Sequence, residues 1–369
     1  MKKVLILGVA SVQMDAILQL KEMGIETYAC AQANDGPGSK VVDHFELINF
    51  TDKERVIELI NKHQIDCVYS IGSDIAMPIS TSISETMNLP YFVSSYIAEI
   101  CNNKNQMRNF LGKDFRGNVK YQVLQESDTN IELEYPFIMK PSDSQGQRGV
   151  HLINNFNEFQ KHFEDAKKHS RSNLVIIEDY ISGPELSVNA YLVDGNVVFM
   201  VPSDRETWPE FQGGLIRKHI VPSQFNNPIL NRNLQELVQR TAARLGIKNG
   251  PLYFQIKLED NEPYIIEVTP RLDGCHMWNI LEYYTGVNLI KLTFEHLLNG
   301  STQELQKYVD PVSKYSLEFI CEEPNTYIDY SKYKIPSKAL ESLNYYDNGD
   351  LIRPINGRFE KVGYFIKEG

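Results

Sequence analysis

The chain has 369 residues, with 37 Lys and Arg against 48 Asp and Glu, and a formal net charge of −11. That length suits two or three domains with substantial cores. The acidic balance argues against nucleic acid or an anionic membrane as the main partner. Cys30, Cys67, Cys101, Cys275 and Cys321 are odd in number and form no Cys-x-x-Cys pair, a pattern of reduced cytoplasmic thiols and not of a disulfide framework or zinc site.

The opening run Met1-Lys-Lys-Val-Leu-Ile-Leu-Gly-Val-Ala10 is short, lacks an A-x-A-like cleavage site and is followed at once by a helical pattern. It reads as the first strand of a parallel sheet and not as a secretory signal. No apolar run approaches the roughly 20 residues that span a bilayer, so no membrane is expected. Strand Val4 to Leu7, a helical stripe of Val12, Ala16, Leu20 and Met23, strand Ile25 to Cys30, a second stripe of Val56, Leu59, Ile60 and His63, and strand Ile65 to Ile71 give a βαβ rhythm. Such a rhythm implies a parallel, doubly wound α/β sheet. The loop Gly8-Val-Ala-Ser-Val-Gln13 stands where a dinucleotide fingerprint would but lacks its second and third glycines, which makes NAD the weaker reading. Gly72-Ser-Asp74 follows a strand end, where α/β sheets place ligands. Asp74 therefore either lines a substrate pocket or serves, with Ser73, as a helix cap.

Further on, Pro136-Phe-Ile-Met-Lys140 is a short strand ending in a lysine, and Pro141-Ser-Asp-Ser-Gln-Gly-Gln-Arg-Gly149 leads to a second strand, Val150 to Ile153. Gly146 and Gly149 let backbone N–H groups approach an anion closely, with Lys140 beside them as a point charge. The ordinary alternative is a plain turn; this is not a Walker loop, because the lysine precedes the glycines and a strand follows. Phe156, Phe159, Phe163 and Ala166 repeat at helical spacing and read as core. Leu174 to Glu178 is a buried-type strand, and Asp179-Tyr-Ile-Ser-Gly-Pro-Glu185 connects it to Leu186 to Val193. The stretch from Pro202 to Gly214 is polar and glycine-rich and reads as an active-site loop, with Arg205 and Arg217 flanking its glycines as candidate carboxylate clamps. A helix carries Leu234, Leu237, Val238, Thr241 and Leu245.

Tyr253 to Leu258 and Tyr264 to Thr269 form an expected hairpin around the turn residues Glu259-Asp260-Asn261-Glu262. With Leu258 opposite Tyr264, Gln255 faces Glu267, their Cβ atoms about 5 Å apart on one face. Thr269 shares that face and Arg271 follows. An amide oxygen, a carboxylate, a hydroxyl and a guanidinium converging in this way suit a hard cation bridging phosphate oxygens; the bland alternative is a solvated polar face. Beyond Arg271, Gly274 frees the chain to turn, bringing Asp273, His276 and Trp278 toward a substrate end of the site, unless Trp278 simply opens a core helix with Ile280, Leu281 and Tyr284. After about Asp310, tyrosine-rich stretches separated by Pro and Asn-Gly turns suggest short strands.

The order of these pieces (lysine strand, glycine loop, helix, Glu-x-x-x-x-Gly-x-Glu connection, Glu-Val-x-Pro-Arg hairpin) resembles the ATP-grasp superfamily from about Lys104 to Leu298. Within it, the carbamoyl phosphate synthetase and biotin carboxylase branch, with its related amino-acid ligases, is the most similar. The resemblance implies a Rossmann-like pre-ATP-grasp domain (1–104), a lid (105–182), a C-terminal ATP-grasp subdomain (183–310) and a small β-rich extension (311–369). It implies that Lys104 and Lys140 hold ATP phosphates and that the loop from Ser142 to Gly149 covers them. Glu178, Asp179 and Ile181 would form the adenine hinge, and Glu185 would hold the ribose. Gln255, Glu267 and Thr269 would hold Mg²⁺, with Mn²⁺ as a substitute, and Arg271 would stabilise the transferring phosphoryl group. Thr269 departs from the family's usual asparagine, which puts the second metal ion in doubt. The implied activity joins a small carboxylate, an amino acid or similar, to an amine, through an acyl phosphate and with release of ADP. Its rivals are carbamate or bicarbonate phosphorylation and nucleotide binding without catalysis. A homodimer is compatible with the family.

Overall fold

The computed structural model describes residues 1–127, 130–143, 148–209, 215–354 and 359–369. Its first unit comprises β1 (Lys3–Leu7), α1 (Ser11–Glu22), β2 (Glu26–Ala31), β3 (His44–Leu47), α2 (Lys53–His63), β4 (Cys67–Tyr69) and α3 (Ala76–Met87). The strands pair in parallel in the order β3-β2-β1-β4. Alternation along β1 explains the two covered faces. Val4 and Ile6 enter a core with Ala16, Ile17 and Leu20 of α1, whereas Leu5 and Leu7 enter another with Val56, Leu59, Ile60 and Ile83.

Helices α4 (Ser95–Asn102) and α5 (Lys104–Leu111) lead to a second unit of β5 (Tyr121–Leu124), β6 (Phe137–Pro141), β7 (His151–Ile153), α6 (Phe156–Lys168) and β8 (Val175–Asp179). Its strands are antiparallel in the order β5-β8-β6-β7. Phe159, Phe163 and Ala166 of α6 pack on Phe137, Met139 and Ile177. Phe156, expected in the same stripe, is 48% exposed; it opens the helix, where a side chain has only part of the sheet beneath it.

The third unit is one sheet of eight strands in the order β13-β12-β9-β10-β11-β14-β16-β15. Its elements are β9 (Glu185–Val193), β10 (Asn196–Thr207), β11 (Ile216–Val221), α7 (Pro228–Leu245), β12 (Gly250–Glu259), β13 (Glu262–Thr269), α8 (Met277–Thr285), α9 (Leu289–Asn299), β14 (Tyr315–Glu322), β15 (Glu341–Asn344) and β16 (Glu360–Glu368). Two expectations change here. The polar stretch read as a loop from Pro202 is strand through Thr207, with Ser203 and Asp204 buried because Asp204 accepts bonds from Ser223 Oγ and the backbone N–H of Gln224. Residues beyond 310 supply not only short strands but β14 and β16, of eight and nine residues, which extend the main sheet.

The hairpin is present with a changed register. Gln255 pairs with Glu267 as expected, but Leu258 pairs with Pro263 and not Tyr264. Ile256 faces Ile265, so Ile266 is the extra residue of a β-bulge, and the turn tightens to Asp260-Asn261, with Asp260 at φ +54°. Such bulges sit where a strand must re-aim a side chain.

Candidate active site

Alternation on the main sheet separates a dry face from a polar one. Leu186, Val188, Ala190, Leu192, Phe254, Ile256 and Val268 pack under Leu234, Leu237 and Val238 of α7. The intervening residues face the other way. Ser187 is paired with Gln255 and Asn189 with Tyr253, and across the hairpin Gln255 meets Glu267 and Tyr253 meets Thr269. Gln255 Nε2 donates to Glu185 Oε1 at 2.7 Å, which leaves the amide oxygen as the outward acceptor. Glu267 is half-buried, and its carboxylate makes no hydrogen bond or ion pair among the described residues. Thr269 Oγ1 and Asn189 Nδ2 are buried and without a partner there. The orphaned Thr269 hydroxyl oxygen and the Gln255 amide oxygen beside a half-buried carboxylate fit a hard divalent cation, whose remaining ligands would be phosphate and water oxygens, whereas Asn189 Nδ2 is a donor and would meet such an oxygen and not the metal.

One prediction follows for Thr269. Thr269→Val removes a hydroxyl that has no protein partner and preserves its volume, so the melting temperature should hold while the Mg²⁺ concentration for half-maximal turnover rises. An unchanged Mg²⁺ titration would reduce Thr269 to a structural residue.

Lys140, the last but one residue of β6, has only 5% exposure, and its Nζ donates to Glu178 Oε2 at 2.5 Å. Glu178, expected in the hinge, has a buried side chain on β8, whose other oxygen accepts from Arg108 Nε at 2.9 Å. Arg108, on α5, is fully buried, and it also donates to Asn118 Oδ1 at 2.9 Å and to the Ile266 carbonyl at 3.3 Å. It thus ties α5, the sheet of the second unit and the bulge next to Glu267 into one network. Burial pushes the Lys140 ammonium down to about 8 despite Glu178, and neighbouring Arg108 and Lys104 push the same way. Burial opposes ionisation of Glu178, but Arg108 and Lys140 outweigh it and hold the carboxyl at about 2.

Beyond the hairpin, Arg271 Nε donates to Asp74 Oδ1 at 2.7 Å, and its Nη2 reaches the same oxygen. The two residues come from different units, and the backbone makes their approach feasible. A Cβ on Gly274 would lie 2.9 Å from the Gly72 carbonyl oxygen, closer than real Cβ contacts come, and Gly72 itself has φ +65°. The N-cap position of α3 is Ile75, and just ahead of it Ser73 Oγ, not Asp74, accepts from Ala76 N at 3.3 Å. Arg205 pairs with Glu185 at 2.5 Å and donates to Tyr253 Oη at 2.9 Å. Asp273 is 3% exposed and its Oδ2 has no partner among the described residues. Burial raises its carboxyl above the usual range while Arg205, Arg271 and Lys361 oppose the shift.

His276 is anchored through one ring nitrogen, and its Nε2 is buried without a partner among the described residues. Its Nδ1 meets Asp15 Oδ2 of α1 at 2.7 Å, the same oxygen accepts from Trp278 Nε1 at 2.7 Å, and the imidazole stacks on Tyr364 at 4.4 Å. Trp278 is in the core, within the first turn of α8. Arg217 is largely exposed, its guanidinium 5.6 Å from the Trp208 ring centre. The Lys104 backbone N–H donates to the Ser142 carbonyl at 3.1 Å, while Ser142 Oγ lies 2.8 Å from Ser172 Oγ. Gly149 takes φ +71°. Asp179 ends β8 half-buried with its carboxyl raised by burial, and Ile181 is buried. Gly146, like Gly213 and Gly214, lies outside the described residues. Arg108, Asn189, Asp15 and Lys361 escaped the sequence reading. Arg108 alone left a signal there, a guanidinium on the apolar stripe of Met107 and Leu111.

A lysine strand, a connecting segment and a polar hairpin follow in this order on these sheets, and residues 133–278 fit the ATP-grasp domain. The chain carries an ATP-grasp domain. It is 22% identical over 280 residues, 73% of this chain and 70% of the relative, to a formate-dependent phosphoribosylglycinamide formyltransferase of Prochlorococcus marinus. Its fold is similar to that of an L-amino acid ligase from Bacillus licheniformis, with TM-score 0.81 and 20% identity over 100% of this chain and 93% of that one. It is likewise similar to the biotin carboxylase domain of Hydrogenobacter thermophilus 2-oxoglutarate carboxylase, solved with MgADP and bicarbonate, at TM-score 0.79 and 17% identity over 100% and 86% of the chains. ATP and Mg²⁺ are the cofactors of ATP-grasp proteins, which bears out both the expected family and its cofactors. Among the described residues no helix is long and apolar enough to cross a membrane.

Proposed function

We propose that this ATP-grasp chain is an ADP-forming carboxylate–amine ligase that activates a small acid as its acyl phosphate and joins it to an amine. The observation that carries the reading is the polar strand face on which Gln255, Glu267 and Thr269 are followed directly by Arg271 and the buried, half-unpartnered Asp273. Phosphoryl transfer needs positioning and charge neutralisation more than covalent help from the protein, and this face offers both. Gln255, Glu267 and Thr269 would hold Mg²⁺, which when bound neutralises phosphate charge. Lys104 and Lys140 would take phosphate oxygens, Asp179 and Ile181 would meet the base, and Glu185 would meet the ribose. Arg271 would stabilise the phosphoryl group as a carboxylate oxygen of the acid attacks the γ-phosphorus and ADP leaves. The amine then attacks the acyl carbon, loses a proton and expels phosphate. Asp273 would hold a substrate ammonium, and Asp74, by fixing Arg271, would set where the acid sits. Arg205 is committed to Glu185 and so supports the ribose side. The presence of an L-amino acid ligase among similar folds agrees with an amino acid as the acid.

The deciding measurement is phosphate release from ATP with a panel of acids, each alone and paired with amines. Release that needs both partners is the expected result. Release with bicarbonate alone would move the chain to carbamoyl phosphate-type chemistry, and nucleotide binding without release under any pairing would overturn the ligase reading.

A further inference from the structure

We infer that Lys361, on β16 of the C-terminal extension, binds a second carboxylate of the substrate acid, which makes that substrate an acidic α-amino acid. The inference rests on the ligase reading above and adds to it a substrate class and a residue that sets it. Its basis is an inventory of the cations near Asp273. Arg271 is paired with Asp74 and Arg205 with Glu185. Lys361 makes no ion pair with any described carboxylate. Its Nζ instead lies 3.4 Å from Cys275 Sγ and 3.6 Å from the centre of the Phe319 ring. A thiol and a ring face orient an ammonium but satisfy little of its capacity for three strong hydrogen bonds.

The position of this ammonium ties it to the site. Cys275 is two residues from Asp273, and the Lys361 charge is felt at the Asp273 carboxyl together with those of Arg205 and Arg271. The strand is also shaped there. Ile320 pairs with Gly363 but Cys321 pairs with Lys361, so Val362 is the extra residue of a bulge beside the lysine, the device that re-aims side chains next to functional sites. Asp273 supplies the second, independent observation, since its Oδ2 is buried without a partner. An unsatisfied carboxylate oxygen, an unpaired ammonium and Arg271 together complement a molecule with one ammonium and two carboxylates. The ammonium meets Asp273, the reacting carboxylate lies toward Arg271, and the remaining carboxylate meets Lys361.

The test compares L-glutamate and L-aspartate with L-glutamine and L-norvaline as acids, with the amine saturating and phosphate release as readout. The parent should favour the acidic pair. Lys361→Met, which keeps the length of the stem, should raise the KM for glutamate about tenfold or more, the loss of one charge-assisted hydrogen bond. It should leave the KM for ATP unmoved, and Lys361→Arg should restore part of the preference. A parent that turns over norvaline and glutamine better than glutamate overturns the inference while the ligase reading stands. Equal losses with acidic and neutral acids in Lys361→Met would also overturn it and make Lys361 a packing residue. If Lys361→Met does not fold, the parent's preference between glutamate and glutamine decides. Absence of release with every acid–amine pair sinks the ligase reading and this inference with it.

Discussion

Glu267→Ala should lower turnover by about 10²–10³-fold or more, the scale on which removing one electrostatic stabiliser from a closed site acts, while the protein stays folded. The Glu267 carboxylate makes no hydrogen bond or ion pair among the described residues and the residue is only half-buried, so its loss should cost less than about 0.5 kcal/mol of stability. Lys140→Ala should abolish turnover equally. Its fold does not escape, however, because Lys140 is buried against Glu178 and not displayed at a solvated phosphate site. The lysine also predicts a pH dependence. Burial lowers its ammonium to about 8, so in the free enzyme it is charged below that pH and neutral above it, and the KM for ATP should climb as pH rises through about 8. Near-normal phosphate release by Glu267→Ala with cognate substrates would move the metal site off the hairpin.

What the sequence disclosed and what it hid follow from the range of each interaction. Opposite pairing of Gln255 and Glu267 is legible because strand periodicity fixes which residues share a face. The slip just beyond it is not, since Tyr264-Ile265-Ile266-Glu267 contains two adjacent isoleucines and either could serve as the inward residue. Lys140 reads as a phosphate ligand from its place at a strand end; that it needs a buried carboxylate to sit there depends on Glu178, 38 positions away. Proximity to Arg271 draws His276 toward the substrate, but its partner Asp15 lies on α1, more than 260 residues back, and the same oxygen accepts from Trp278, which sits in the core as the alternative reading of that residue has it. Lys361 had no motif around it, because its meaning comes only from the bulge and from Cys275 and Phe319 on neighbouring elements.

Glu178 is the position whose loss should cost the most stability. Among the described residues its carboxylate alone compensates two buried cations, Arg108 and Lys140, and removing one partner of such a pair costs about 3–5 kcal/mol because the charge left behind stays desolvated. Glu178→Ala should therefore fall by at least that much in denaturant unfolding. Two further variants separate charge from shape. Glu178→Gln keeps a side-chain oxygen toward one cation but no negative charge, so the Lys140 ammonium loses the one influence opposing its burial and should titrate below about 8. ATP binding should then weaken at neutral pH and recover as pH is lowered, the reverse of what loss of an acid needed in ionised form would produce. Replacing the pair, Lys140→Met with Glu178→Leu, should recover part of the stability lost by Glu178→Ala but none of the activity, since no ammonium remains to meet phosphate. Additive stability effects in that cycle, with an unchanged pH profile for Glu178→Gln, would show that the two side chains are merely neighbours and that Lys140 is held in place by something other than Glu178.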